Sequence, residues 1–259
     1  PAMTEDQLEQ EALGWLEDVG YTVRSGYDMA PDGPAPERES FRQALLPERL
    51  RDAIARLNPH IPPAAREDAF RQVQDLGVPA LLSANRRFHR LLVGGVPVQY
   101  QKDGETRGDL VRLVDWEHPQ ANVWWAVNQF SLRGPHHTRR PDIVLFLNGL
   151  PVVLLELKNP ADENADVWKA YEQIQTYKEQ IPDVFQYNEV LVVSDGGNVS
   201  IADSRLKTFE AYPLMATPLS LFLARQIKLD KGINVTRVTR MADGFSITAR
   251  DGRKEAEGQ

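Results

Sequence analysis

The sequence predicts an α/β fold, a central mixed β-sheet flanked by helices and preceded by a helical portion. Two observations carry that prediction. Residues 143–147 and 151–157 are apolar, β-branched-rich runs on either side of Asn148-Gly149, the signature of a β-hairpin. Apolar residues recur at helical spacing before this hairpin and again after Pro160, and residues 189–194 then return to an unbroken apolar run.

Taken in order, residues 4–19 read as a helix, with Thr4 as N-cap and Gln7 completing a capping box. Leu8, Ala12, Trp15, Leu16 and Val19 form its apolar stripe and Gly20 ends it. Residues 21–39, rich in Pro, Gly and Asp, read as a surface loop. Helical periodicity runs through Phe41, Leu45, Leu50, Ile54 and Leu57 with a break at Pro47, resumes over 64–76, and continues over 80–92. That last helix exposes Arg86, Arg87, His89 and Arg90, a basic face suited to phosphates or simply to water. Residues 93–100 open a β-rich centre, Lys102 to Glu105 turn the chain, and 110–115 follow as a strand. In the strand-like run 122–132, Trp124 and Ala126 alternate with Trp125 and Val127, and their apolar neighbours make core filling the expected role of both tryptophans. After the hairpin come a helix over 165–180, strands over 189–194 and 199–203 with a turn between them, and an apolar helix over 218–229. Residues 233–253 read as a small hairpin or a linker.

At 259 residues the chain can bury a full core, and its 42% hydrophobic and 26% charged content is that of a soluble globular protein. The absence of cysteine excludes disulfides and thiolate metal sites and makes a reducing cytoplasm the simplest location. No apolar run is long enough to predict a membrane span or a signal peptide. A net charge of −7 argues against tight autonomous nucleic-acid binding, though not against a local site built around a cation. No G-x-x-x-x-G-K-[ST] phosphate loop occurs.

The chemistry is concentrated at the hairpin's open end, where Asp142 begins one strand and Glu156 and Lys158 finish the other. Glu156 and Lys158, two apart, share a face. A two-residue turn at Asn148-Gly149 sends Asp142 to the opposite face. A three-residue loop, Leu147-Asn148-Gly149, brings all three groups together and is the expected connection, and a regular two-residue turn counts against the site. Two converging carboxylates call for a hard divalent cation, with magnesium the default, the Leu157 carbonyl as a third ligand and Lys158 beside it. Arg139 and Arg140, in the basic segment 134–140, stand next to this end. His136 and His137 point apart in an extended chain and lack a third ligand, so zinc is not expected.

Pro141-Asp142 followed by Glu156-Leu157-Lys158 resembles the PD-(D/E)xK nuclease motif. With Asn159-Pro160 after the lysine and Gln173-x-x-x-Tyr177 on the next helix, residues 4–222 resemble the N-terminal nuclease domain of the restriction subunit of type I restriction-modification enzymes. The resemblance implies a restriction-endonuclease-like fold and metal-dependent cleavage of double-stranded DNA, with Mg²⁺ held by Asp142, Glu156 and Leu157 and replaceable by Mn²⁺. It implies a first-helix acidic residue at the site, Glu9 being the best match beside Glu5 and Glu11. Gln173 and Tyr177, one turn apart on the helix over 165–180, can both face the hairpin's open end and position DNA phosphates or the Lys158 amine, and the basic segment can place Arg139 or Arg140 near the scissile phosphate. It further implies methylation and specificity subunits as partners and an ATP-driven motor outside this chain, so residues 4–229 are expected to form the nuclease domain and 230–259 a hairpin or linker towards that motor. A resolvase-like or exonuclease member of the superfamily, or an idle DNA- or partner-binding module, are the rival readings.

Overall fold

The computed structural model describes residues 4–158, 167–194, 199–203, 233–241 and 244–251. Its centre is an eight-stranded mixed sheet among these residues. In order of pairing the strands are β1 (Thr22–Ser25), β4 (Trp124–Asn128), β7 (Ile143–Leu147), β8 (Leu150–Leu157), β9 (Val190–Ser194), β10 (Val199–Asp203), β12 (Gly244–Asp251) and β11 (Ile233–Met241). The β1–β4 and β8–β9 pairs are parallel and the rest antiparallel. Helices α1 (Glu5–Asp18), α2 (Pro47–Leu57), α3 (Pro63–Gln74), α4 (Leu81–Gly94), α5 (Val167–Gln180) and α6 (Pro182–Phe185) complete the α/β architecture. Two small ribbons, β2 (Val96–Lys102) with β3 (Glu105–Val111) and β5 (Leu132–Arg133) with β6 (Thr138–Arg139), stand apart from the main sheet. No helix among the described residues is long and apolar enough to cross a membrane.

Local chemistry accounts for most element ends. Thr4 caps α1 and forms the reciprocal capping box with Gln7. Proline stands at the start of both α2 and α3, where its missing N–H costs nothing. Because α2 begins only at Pro47, the periodic residues before it are not helical. The stripe of α1 also differs from expectation: Leu8, Glu9, Ala12 and Leu13 are buried, whereas Trp15 is 48% exposed. The strand expected over 110–115 lies earlier, as β3. A tight turn with Asp103 and Gly104 both at positive φ sets that ribbon's register. The turn over 195–198 and the helix over 218–229 fall outside the described residues. Residues 233–241 and 244–251 take the hairpin form and extend the main sheet through β10.

The β7–β8 connection corrects the loop expected from sequence. Leu147 pairs with Leu150 across a regular two-residue turn, Asn148 (φ 52°) and Gly149 (φ 85°). The register then shifts, Phe146 facing Pro151 and Leu145 facing Val153, so Val152 is an extra residue in β8. Pro151 has no N–H to give to a ladder, and a bulge is where a central strand accommodates it. The odd residue that sets the parity therefore sits in the strand, not in the turn. From Ile143 opposite Leu155, one further step places Asp142 opposite Glu156, on one face. The two-residue turn thus leaves the convergence of the carboxylates intact.

Residues 26–46 wrap the sheet and are pinned by a buried guanidinium. Arg38 donates to the Gln43 and Ser131 carbonyls at 3.1 and 2.5 Å and lies 3.7 Å over the Phe130 ring. Burial without a carboxylate partner lowers its pKa to about 10.

Candidate active site

The carboxyl-terminal ends of β1, β4, β8 and β9 and the start of β7 lie together at one end of the sheet, since Ser25 faces Asn128, Asn128 faces Ile143 and Leu157 faces Ser194. Asp142 accepts a hydrogen bond from the Leu157 backbone N–H at 2.6 Å, which fixes its carboxylate against β8. Glu156 is 2% exposed. The Lys158 ammonium stands 3.2 Å from Glu156 Oε1, and Glu156 Oε2 is buried with no hydrogen-bond partner among the described residues. Lys158 also donates to Gln173 Oε1 at 2.6 Å, and Gln173 Nε2 donates to the Tyr177 hydroxyl at 2.6 Å. The i, i+4 spacing of Gln173 and Tyr177 places both on the face of α5 that meets the hairpin. Of the two roles expected for this pair, the geometry shows the contact with the lysine: Gln173 bonds the ammonium, and Tyr177, buried, bonds Gln173.

Burial and mutual repulsion set the electrostatics. Desolvation pushes the Asp142 carboxyl above the usual carboxylate range, opposed by the Leu157 N–H and reinforced by Glu5 and Glu9. Glu156 is pushed up by desolvation first and by the Asp142 charge second, against the lowering effect of Lys158. The Tyr177 hydroxyl is raised by burial and by Glu156. A buried carboxylate pair with one oxygen left over is a donor set for a hard cation. Among the described residues no group of three His, Cys, Asp or Glu side chains is placed to hold a metal ion, so a cation here would rest on this pair and backbone oxygen.

Glu9 is the acidic residue of the first helix that the fold buries, and Glu5 and Glu11 are exposed. Its carboxylate accepts from Asn128 Nδ2 at 2.8 Å and from Gln129 Nε2 at 3.3 Å. Sequence reasoning passed over Asn128 and Gln129; the available signal was an amide pair closing an apolar strand at the site end. The two arginines diverge, Arg139 bonding Gln180 on α5 and Arg140 bonding the Tyr27 hydroxyl at 2.6 Å. His89, expected on an exposed basic face, is turned inward, 2.7 Å from Glu189. Trp125 is buried in the core, with Arg24 and Arg49 at 5.1 and 4.7 Å from its ring, and Trp124, half-buried, packs against the core and edge-on to Tyr21.

The sequence model of the type I restriction enzyme R protein N terminus matches residues 2–208. The chain belongs to that family. A curated relative, the type I restriction enzyme HindI endonuclease subunit of Haemophilus influenzae, is 38% identical over 195 residues, covering 75% of this chain and 18% of the relative. A Methanocaldococcus jannaschii protein named provisionally as the type I restriction enzyme MjaIXP endonuclease subunit is 31% identical over 192 residues, 73% of this chain and 18% of the relative. The SauMSSORF170P endonuclease subunit of Staphylococcus aureus is 25% identical over 199 residues, 74% of this chain and 18% of the relative. The chain thus spans about a fifth of the length of these restriction subunits. A second model, for the outer membrane lipoprotein carrier protein LolA, matches residues 183–258. It covers less than half of the chain and none of the hairpin.

Proposed function

We propose that this chain is the metal-dependent endonuclease module of a type I restriction enzyme, hydrolysing phosphodiester bonds of double-stranded DNA. One observation carries the reading: Glu156, buried opposite Asp142, keeps an unpartnered oxygen while Lys158 occupies the other. Asp142, Glu156 and the Leu157 carbonyl would hold Mg²⁺, or Mn²⁺ in its place. The ion would supply Lewis acidity towards the phosphate and the attacking water. The Lys158 ammonium, at the same face, orients that water and offsets charge developing on the phosphate oxygens. Gln173 fixes the ammonium and Tyr177 fixes Gln173, so both act through the lysine. Asn128 and Gln129 hold Glu9 beside the site, and Arg139 and Arg140, next in the chain to Asp142, offer positive charge for the DNA backbone. Methylation and specificity subunits are the proposed partners, and ATP would be used by motor domains elsewhere in the enzyme.

Incubation of the purified chain with supercoiled plasmid and Mn²⁺ tests this. Nicking that requires the metal and disappears in both Glu156→Ala and Lys158→Ala is expected. Nicking retained in either variant contradicts the assignment.

A further inference from the structure

We infer that Tyr27 and Gln129 are positioning residues that hold Arg140 against the phosphate backbone of duplex DNA and tie that contact to Glu9. The inference rests on the nuclease reading above. β1 and β4 run parallel and end together, and the chain just beyond them is unusually close. The Gly26 N–H donates to the Asn128 carbonyl at 2.7 Å, and a Cβ on Gly26 would meet the Gln129 carbonyl oxygen at 2.4 Å. Gln129 itself has φ 57°, a left-handed conformation that a side-chain-bearing residue adopts at a cost. Such an outlier beside a catalytic centre asks for a use, and the side chain shows one. Gln129 Nε2 lies 3.3 Å from each Glu9 oxygen, and Gln129 Oε1 accepts from the Tyr27 hydroxyl at 3.3 Å. The same hydroxyl accepts from Arg140 Nη1 at 2.6 Å, and the guanidinium carbon sits 5.7 Å from the Tyr27 ring centroid.

This relay runs from the buried rim of the site to water. Tyr27 is 57% exposed, Arg140 is exposed, and Arg140 makes no ion pair among the described residues. Only Pro141 separates Arg140 from Asp142. Two residues span at most about 7 Å, close to the rise of two nucleotides along one strand at about 3.4 Å each. Arg140 is therefore placed to reach a phosphate within about two nucleotides of the one at the carboxylates. A cation is needed there, because Asp142, Glu156 and Glu9 together repel a polyanion.

The test is anisotropy of a labelled short duplex titrated with the chain in Ca²⁺, a hard cation that can fill an oxygen-ligand site, over a salt series. Arg140→Gln is expected to weaken binding about tenfold and to reduce the slope of log affinity against log salt by about 1. Tyr27→Phe and Gln129→Gly are expected to weaken binding severalfold with the slope unchanged. Glycine relieves the left-handed strain, so Gln129→Gly should bind less while melting no lower, a split that a purely structural role does not give. Lys102→Gln, exposed on β2, serves as control and should change nothing. The inference is overturned by an unaltered slope in Arg140→Gln, by wild-type binding in both relay variants, or by absence of duplex binding in the parent chain at low salt. Glu156-dependent plasmid nicking that persists beside any of those results leaves the nuclease reading standing. Arg140-dependent binding without such nicking does the reverse.

Discussion

Glu156 has one oxygen beside the Lys158 ammonium and the other buried without a hydrogen-bond partner among the described residues, and its stability contribution follows from that burial and from the Asp142 charge. Its carboxyl binds a proton more tightly in the folded chain than at the ordinary value of 4.5. The metal-free fold therefore holds more protons than the unfolded chain as pH rises above that value, and stability falls over this range. Urea unfolding across a pH series should show the decline. Glu156→Gln should flatten most of it, leaving the smaller part due to Asp142. Next in line is Tyr177, which touches Gln173 and not the reacting groups. Tyr177→Phe removes the hydroxyl that anchors Gln173, at about 1 kcal/mol of stability, and cleavage is expected to fall about tenfold through a loosened Lys158. Cleavage at the parent rate would show that the relay does not position the lysine. At this scale the sequence was informative: Asp142, Glu156, Lys158, Gln173 and Tyr177 are joined by hydrogen bonds or shared charge as their spacing suggested. It could not choose among Glu5, Glu9 and Glu11, because only the docking of α1 on β4 decides which one is buried.

The hairpin is clamped at its closed end as firmly as it is charged at its open end. Asn148 is wholly buried, accepting from the Val123 N–H at 2.8 Å and donating to the Leu113 carbonyl and Asn122 Oδ1, each at 2.9 Å. Asn148→Ala strands these partners and is expected to cost about 3 kcal/mol, read as a lower urea midpoint. Gly149 is as constrained, since a Cβ there would lie 2.7 Å from the Leu46 carbonyl oxygen and 2.9 Å from the Leu50 nitrogen at a φ of 85°. The hairpin was legible from Asn148-Gly149, but its register was not. Strands buried on both faces lose the alternation that reveals register, and β7 and β8 are apolar throughout except at the site. Pro151 was the available clue to the bulge.

On the scale of the whole molecule, the site draws on α1, β4, β7, β8 and α5, elements that begin as far apart as Glu5 and Val167. Sequence pattern showed the described helices apart from the short α6, most strands but not β1, which lies in the stretch read as a loop, and the α/β class; it could not show that Asn128 and Gln129 meet Glu9 across more than a hundred residues. A net charge of −7 and the carboxylates at the site disfavour DNA unless a cation and the local Lys158, Arg139 and Arg140 offset them. Everything above turns on the carboxylate pair accepting that cation. Calorimetric titration of Mn²⁺ into the chain and into Glu156→Gln, at neutral pH in buffers of different ionisation enthalpy, measures this directly. One binding event with proton release, weakened strongly in the variant, is expected, because a carboxyl raised by burial must lose its proton to ligate. Binding of equal strength in both proteins, or none in the parent chain, would contradict a metal site at the hairpin.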